Sequence, residues 1–153
     1  MTLTTRLLGL LERRRPAAVL SAHCDGPCGV YDPASARIAA ESVLAMTKKL
    51  LDLDMSAEGA HNTYSRFVTI KEEQAELVKK ELNILQNDYF KPDHLEAYPD
   101  LHSTFWNAVK AASATKQSIS LEAAENLLTQ VEGIHNIFWA TKGREVPWVL
   151  ATA

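Results

Sequence analysis

From Asp32 onward the chain alternates apolar and polar positions with the period of helices. Ala36, Ala39, Val43, Met46, Leu50 and Leu53 recur at steps of three and four, which lines one face of a helix. Asp32 fits its N-cap and Pro33 its first helical position. The pattern fades at 52–56, and Gly59 falls in the connection. A second helix is predicted from about His61 to Tyr89, with Ala75, Val78, Leu82, Leu85 and Tyr89 on one stripe. Phe67, Ile70, Leu77 and Ile84 form a neighbouring row. Lys91-Pro92 ends it, because proline disfavours a helical residue before it. A third helix begins near Pro99 and buries Leu101, Phe105, Ala108, Val109 and Ala112, with Trp106 beside them. After a polar break at 116–120, the fourth carries Leu121, Ala124, Leu128, Val131, His135 and Phe138 on one face. Gly143 fits its C-terminal cap, and Glu145–Ala153 is expected to pack as a short extension.

No strand series appears. Four amphipathic helices joined by short links predict an all-α fold, an antiparallel four-helix bundle over about residues 33–142. The stripes run near a 3.5-residue period, as left-handed bundle packing requires.

Composition narrows the class further. A chain of 153 residues, 46% hydrophobic and 23% charged, suits one globular core. No apolar run approaches the ~18 residues of a membrane span, so no membrane partner is expected. Residues 1–22 differ from the rest. Four arginines, Arg6, Arg13, Arg14 and Arg15, against Glu12 give them +3; the chain's −3 therefore leaves −6 on residues 23–153. An acidic body argues against nucleic acid as a partner. In the first 22 residues the charge follows the longest early apolar run, Leu7 to Leu11, whereas an export signal puts charge first. This segment reads as a removable leader, cut by a processing protease before His23; the other reading is an arm that stays attached. Without an export signal, the expected location is the cytoplasm, where thiols stay reduced.

The two cysteines, Cys24 and Cys28, stand beside His23 in His23-Cys24-Asp25-Gly26-Pro27-Cys28. Gly26 and Pro27 favour a tight reversal that can wrap both sulfurs around one ion. Spacing alone leaves open a metal site, thiol redox chemistry, or two reduced cysteines with no role. Three side chains are too few for a closed zinc site. Cleavage before His23 would free an α-amine. That amine, the Cys24 backbone nitrogen and two thiolates could form a square plane, with the His23 imidazole as a fifth, axial donor. Tetragonal nitrogen–sulfur ligation points to nickel(II) or copper(II).

The run continues through Gly29-Val30-Tyr31, and as a whole it resembles the metal hook of nickel-containing superoxide dismutases. The resemblance extends through Asp32-Pro33-Ala34, Ala36-Arg37, Ile70-Lys71-Glu72, Ala75-Glu76-Leu77, Asp88-Tyr89-Phe90-Lys91-Pro92 and Tyr98-Pro99-Asp100-Leu101-His102. It ends with Ile137-Phe138-Trp139 and Thr141-Lys142. It implies a leader at residues 1–22, a domain at 23–153 with its hook at 23–31, and assembly as a homohexamer. It also implies one nickel ion per subunit, cycling between Ni(II) and Ni(III) while superoxide becomes oxygen and hydrogen peroxide. The implied ligands are His23, Cys24 and Cys28. Tyr31 matches a tyrosine over the open face of the metal and Tyr89 a second one nearby. Asp25 and Lys91 match residues that anchor the hook and attract the anion.

Two positions depart from that pattern. Family members hold the axial imidazole with a glutamate on the first helix and an arginine on the second; Ala39 and Gln74 stand at those places here. A shifted redox potential or rate is therefore expected. Other functions stay in view: a metal-free dithiol switch at Cys24 and Cys28, or a nickel-carrying protein. His135 reads as a core histidine, and His61, His94 and His102 as capping or surface groups. Trp106 and Trp139 read as core or interface residues.

Overall fold

A computed structural model describes residues 29–152. Five α-helices occur among them, with no strand: α1 (Ala34–Leu51), α2 (Ala60–Ile84), α3 (Pro92–Ala97), α4 (Leu101–Gln117) and α5 (Leu121–Thr141). A single π-helical turn, Leu85–Tyr89, extends α2.

The four long helices form the antiparallel bundle that the periodicity predicts. α1 packs on α2 and α5, and α4 packs on the same two. The ladder of apolar stripes meets in one core, where Val43, Val78, Leu82, Phe105, Leu127, Val131, Ile134 and Phe138 are fully buried. One end of the bundle gathers the starts of α1 and α4 and the ends of α2 and α5, as ring contacts among Tyr31, Tyr89, Phe90, Phe105 and Phe138 record.

Local signals set the helix ends. Asp32 Oδ1 accepts from Ala34 N–H at 2.8 Å, so Asp32 ties down the start of α1 from one residue before the N-cap, which is Pro33 and not Asp32 as expected. Pro33 is the residue before the helix rather than its first, one position off the expectation. Ser120 Oγ accepts from Ala123 N–H at 3.2 Å and caps α5. Gly143, at φ +62°, closes α5: its N–H reaches the Ala140 carbonyl and that of Arg144 the Trp139 carbonyl, both at 3.0 Å. This paired closure satisfies the last carbonyls and needs a left-handed residue.

Other expectations are corrected. The regular part of the second helix stops at Ile84, because a wider turn follows. Pro92–Ala97 is a separate short helix, since Pro92 is well suited to open one. Trp106 is 64% exposed and stacks under the Lys110 ammonium, outside the core. Ile70 is half on the surface, and Lys71 beside it is buried. The tail folds back over the bundle as a strap: Val146, Trp148 and Leu150 pack on the core. Thr152 N–H and hydroxyl donate to buried Glu41 at 2.6 and 2.7 Å. His135 is a core histidine, as expected, and its Nε2 donates to the Val146 carbonyl at 2.9 Å.

Candidate metal centre

The chain enters the bundle through Gly29 and Val30 and buries its first ring, Tyr31, at the aromatic end. His23, Cys24, Asp25 and Cys28 lie outside the described residues. Among the described residues, no group of three or more His, Cys, Asp or Glu side chains is placed to hold a metal ion. The described residues next to Gly29 and Val30 form an aromatic wall.

Tyr31 meets Tyr89, their ring centroids 5.6 Å apart and tilted by 57°. The π-turn carries Tyr89 off the end of α2. Phe90 N–H closes that turn on the Leu85 carbonyl at 3.1 Å. The Tyr89 ring is held on several sides. Phe138 lies 4.5 Å away, Phe90 5.0 Å edge-on, and His94 stacks at 5.6 Å. Lys142 Nζ stands 5.1 Å from the centroids of both Tyr89 and Phe138, a cation over two ring faces. The Tyr89 hydroxyl lies 2.7 Å from Thr141 Oγ1, which in turn donates to the Phe138 carbonyl at 2.6 Å.

Lys91 follows two residues later, extended and exposed, at the start of α3. Its N–H donates to His94 Nδ1 at 3.2 Å, and its carbonyl accepts from His94 N–H at 2.9 Å. That reciprocal cap fixes where Lys91 leaves the bundle. A cavity of about 100 Å³ behind it is lined by Phe90, Lys91, Leu95, Leu101 and His102. A much larger groove of about 860 Å³ runs along α2 past Glu73, Lys80 and Asn87, but it is open and gathers no converging set of reactive groups.

Of the sequence-predicted residues, the structure brings Tyr31, Tyr89 and Lys91 to one end. Ala39 is fully buried in α1 and Gln74 half-buried on α2. Glu41 does not replace the missing carboxylate. Its oxygens are taken by Thr152 and by Arg37 at 3.5 Å. Apolar periodicity gives Thr141 and Lys142 no role, although their one-turn spacing from Phe138 on α5 places them beside its ring.

The fold and this end together define a class: a helical bundle with a tyrosine-lined wall at the end where the described chain begins, preceded in sequence by His-Cys-x-x-x-Cys. The chain belongs to the nickel-containing superoxide dismutase family, whose model matches residues 18–142. It is 48% identical over 127 residues to "Superoxide dismutase [Ni]" of Streptomyces seoulensis, covering 83% of this chain and 93% of that protein. It is 45% identical over 127 residues to the protein of the same description from Streptomyces coelicolor, with the same coverage. Among solved structures, it is similar to a native nickel superoxide dismutase, with a TM-score of 0.71 and 43% identity over 80% of this chain and 100% of that one. A nickel-containing superoxide dismutase with the ligation of the oxidised state gives 0.70 and 48% over the same shares. The family match stops at Lys142, so the strap lies beyond it.

Proposed function

We propose that this protein, cut before His23, is a nickel-dependent superoxide dismutase that converts superoxide and protons into oxygen and hydrogen peroxide. The observation that carries the reading is the Tyr31–Tyr89 pair at the mouth of the bundle. Cys28 is three residues from Tyr31, and three residues of chain span at most about 11 Å. The hook is thereby tethered to the tyrosine wall.

The donor chemistry fits nickel. Cys24 and Cys28 offer soft thiolates, and His23 offers its imidazole and, after cleavage, its amine. These residues would hold one ion per chain. When bound, nickel supplies a one-electron couple between its +2 and +3 states. The chain's own groups do the rest. Asp25 anchors the hook and Tyr31 narrows the approach. Tyr89 shapes the pocket beside it, and Lys91 and Lys142 offer positive charge to a small anion. Ala39 and Gln74 would leave the His23 imidazole without a charged partner on either helix, which is expected to shift the potential or rate of bound nickel.

The same reading takes residues 1–22 as a leader removed by a protease, the assembly as a homohexamer, and the location as the cytoplasm. No helix among the described residues is long and apolar enough to cross a membrane. Exposed apolar residues such as Ile38 and Trp106 support burial against further copies of the chain.

Three measurements on purified protein test it together: the N-terminal residue, nickel content and superoxide turnover. The expected result is His23 first, about one nickel per chain and turnover proportional to nickel. Metal-free protein with a reversible Cys24–Cys28 disulfide makes it a thiol switch instead. Nickel without turnover makes it a carrier.

A further inference from the structure

We propose that Thr141 is a positioning residue for the reaction: it holds the Tyr89 phenol as a hydrogen-bond donor and so leaves the phenol oxygen to act as an acceptor. The proposal rests on the superoxide dismutase reading above. A threonine hydroxyl carries one proton, and a carbonyl oxygen can only accept. Thr141 Oγ1 donates to the Phe138 carbonyl at 2.6 Å, a local bond to the preceding turn that threonine favours in helices. The 2.7 Å contact between the Tyr89 hydroxyl and Thr141 Oγ1 then has one consistent polarity. Tyr89 donates and Thr141 accepts.

The proton of Tyr89 is thus committed to α5. The ring cannot readily turn away, because Phe138, His94 and Lys142 hold its faces and the π-turn holds its backbone. The phenol oxygen can receive a hydrogen bond from a group that carries O–H, such as water or hydrogen peroxide. Superoxide brings no proton and gains nothing from it. Tyr89 therefore favours the protonated product side over the substrate, and the proton for reduced superoxide comes from another donor.

The test compares three substitutions in cleaved, nickel-loaded protein. Thr141→Val is expected to lower turnover per nickel by about five- to tenfold, the factor that one hydrogen bond of ordinary net strength controls. Nickel content and helix content stay unchanged. Thr141→Ser, which keeps the hydroxyl, restores turnover to within about twofold. If Thr141→Val loses nickel or helix, Thr141→Ala takes its place, removing the hydroxyl without adding a methyl group. An independent readout uses metal-free protein. Tyrosine ultraviolet resonance Raman spectra, differenced against Tyr89→Phe in each background, are expected to lose the donor signature of Tyr89 when Thr141 loses its hydroxyl. An unchanged tyrosine doublet overturns the proposal, and so does wild-type turnover in the hydroxyl-free protein. Absence of turnover in the wild-type protein would overturn the dismutase reading instead, while the Raman comparison still decides the polarity of the Tyr89 bond.

Discussion

Lys71 is buried, yet its ammonium is fully used. It donates to the Thr115 carbonyl, to the Ser118 carbonyl at 3.2 Å and to Glu72 at 3.2 Å. A cation at the last carbonyls of α4 satisfies groups that the helix itself leaves open. Lys71→Met is therefore expected to cost about 2–4 kcal/mol in urea unfolding, because the Thr115 carbonyl stays buried without that donor. A loss below about 0.5 kcal/mol would refute the role. Periodicity alone puts Ile70 on the apolar row beside the stripe, since it cannot register a lysine that caps another helix. Ala39 poses the opposite problem, a small residue where the family places a carboxylate. The double variant Ala39→Glu with Gln74→Arg is expected to shift the nickel potential or the rate, whereas Ala39→Glu alone buries an unpaired charge and costs about 3–5 kcal/mol. No shift in potential or rate in the double variant would remove the idea of a loosened axial histidine. Tyr31 and Tyr89 were legible from their sequence surroundings. Thr141 was not, because its partner depends on where the π-turn delivers a ring.

The π-turn shows what an element contributes that a residue cannot. Leu85 stays buried while Tyr89 leaves the axis of α2 to face Tyr31 and Thr141. Such wide turns hold one residue more than an α-helix needs. Removing exposed Asn87 is expected to let the turn relax to α-helix and rotate Tyr89 away. Misplacement on this scale can cost about 100-fold in turnover. The readouts are near-ultraviolet circular dichroism and turnover, with far-ultraviolet signal preserved; retained turnover would show that the turn is incidental. Apolar spacing made the four helices legible, because each carries one stripe. It could not reveal a register shift of one residue, since the stripe fits either geometry over so short a run. Between α2 and α4, Lys116 reaches Glu76 at 2.9 Å across the surface. The hydrogen bond from Lys116 holds the Glu76 carboxyl below its usual 4.5, and its acceptance raises the Lys116 ammonium above 10.5. The depressed carboxyl contributes stability above pH 4.5 that is lost as pH falls through its folded value. The raised ammonium contributes below pH 10.5 and loses that as pH rises through its folded value. Glu76→Gln should therefore flatten part of the acid limb by lowering the neutral plateau slightly while leaving the acid end unchanged, as pH-dependent thermal melts can check.

At the scale of the whole molecule, charge and site oppose each other. Residues 23–153 carry −6, which repels an anionic substrate from most directions. At the aromatic end, Lys91 is exposed and Lys142 lies across Tyr89 and Phe138, cations set among the acids Asp88, Asp93 and Asp100. Local cations in a low-dielectric wall can outweigh a diffuse negative body at short range and raise association rates, in favourable cases by about 10-fold or more. Exposed charges are screened beyond about 10 Å at 0.1 M salt. The two contributions therefore predict opposite salt dependence. If the lysines govern approach, turnover under conditions limited by substrate encounter falls as salt rises. If the acidic body governs it, turnover rises. Lys142, whose ammonium stands over the Tyr89 ring itself, favours the first, whereas Asp88, Asp93, Glu96 and Asp100 in the same stretch favour the second. Lys91→Glu and Lys142→Glu are each expected to lower turnover severalfold at low salt and to flatten or reverse its salt slope, with nickel content unchanged. A slope that stays negative in the double variant would mean that steering comes from charges elsewhere on the molecule.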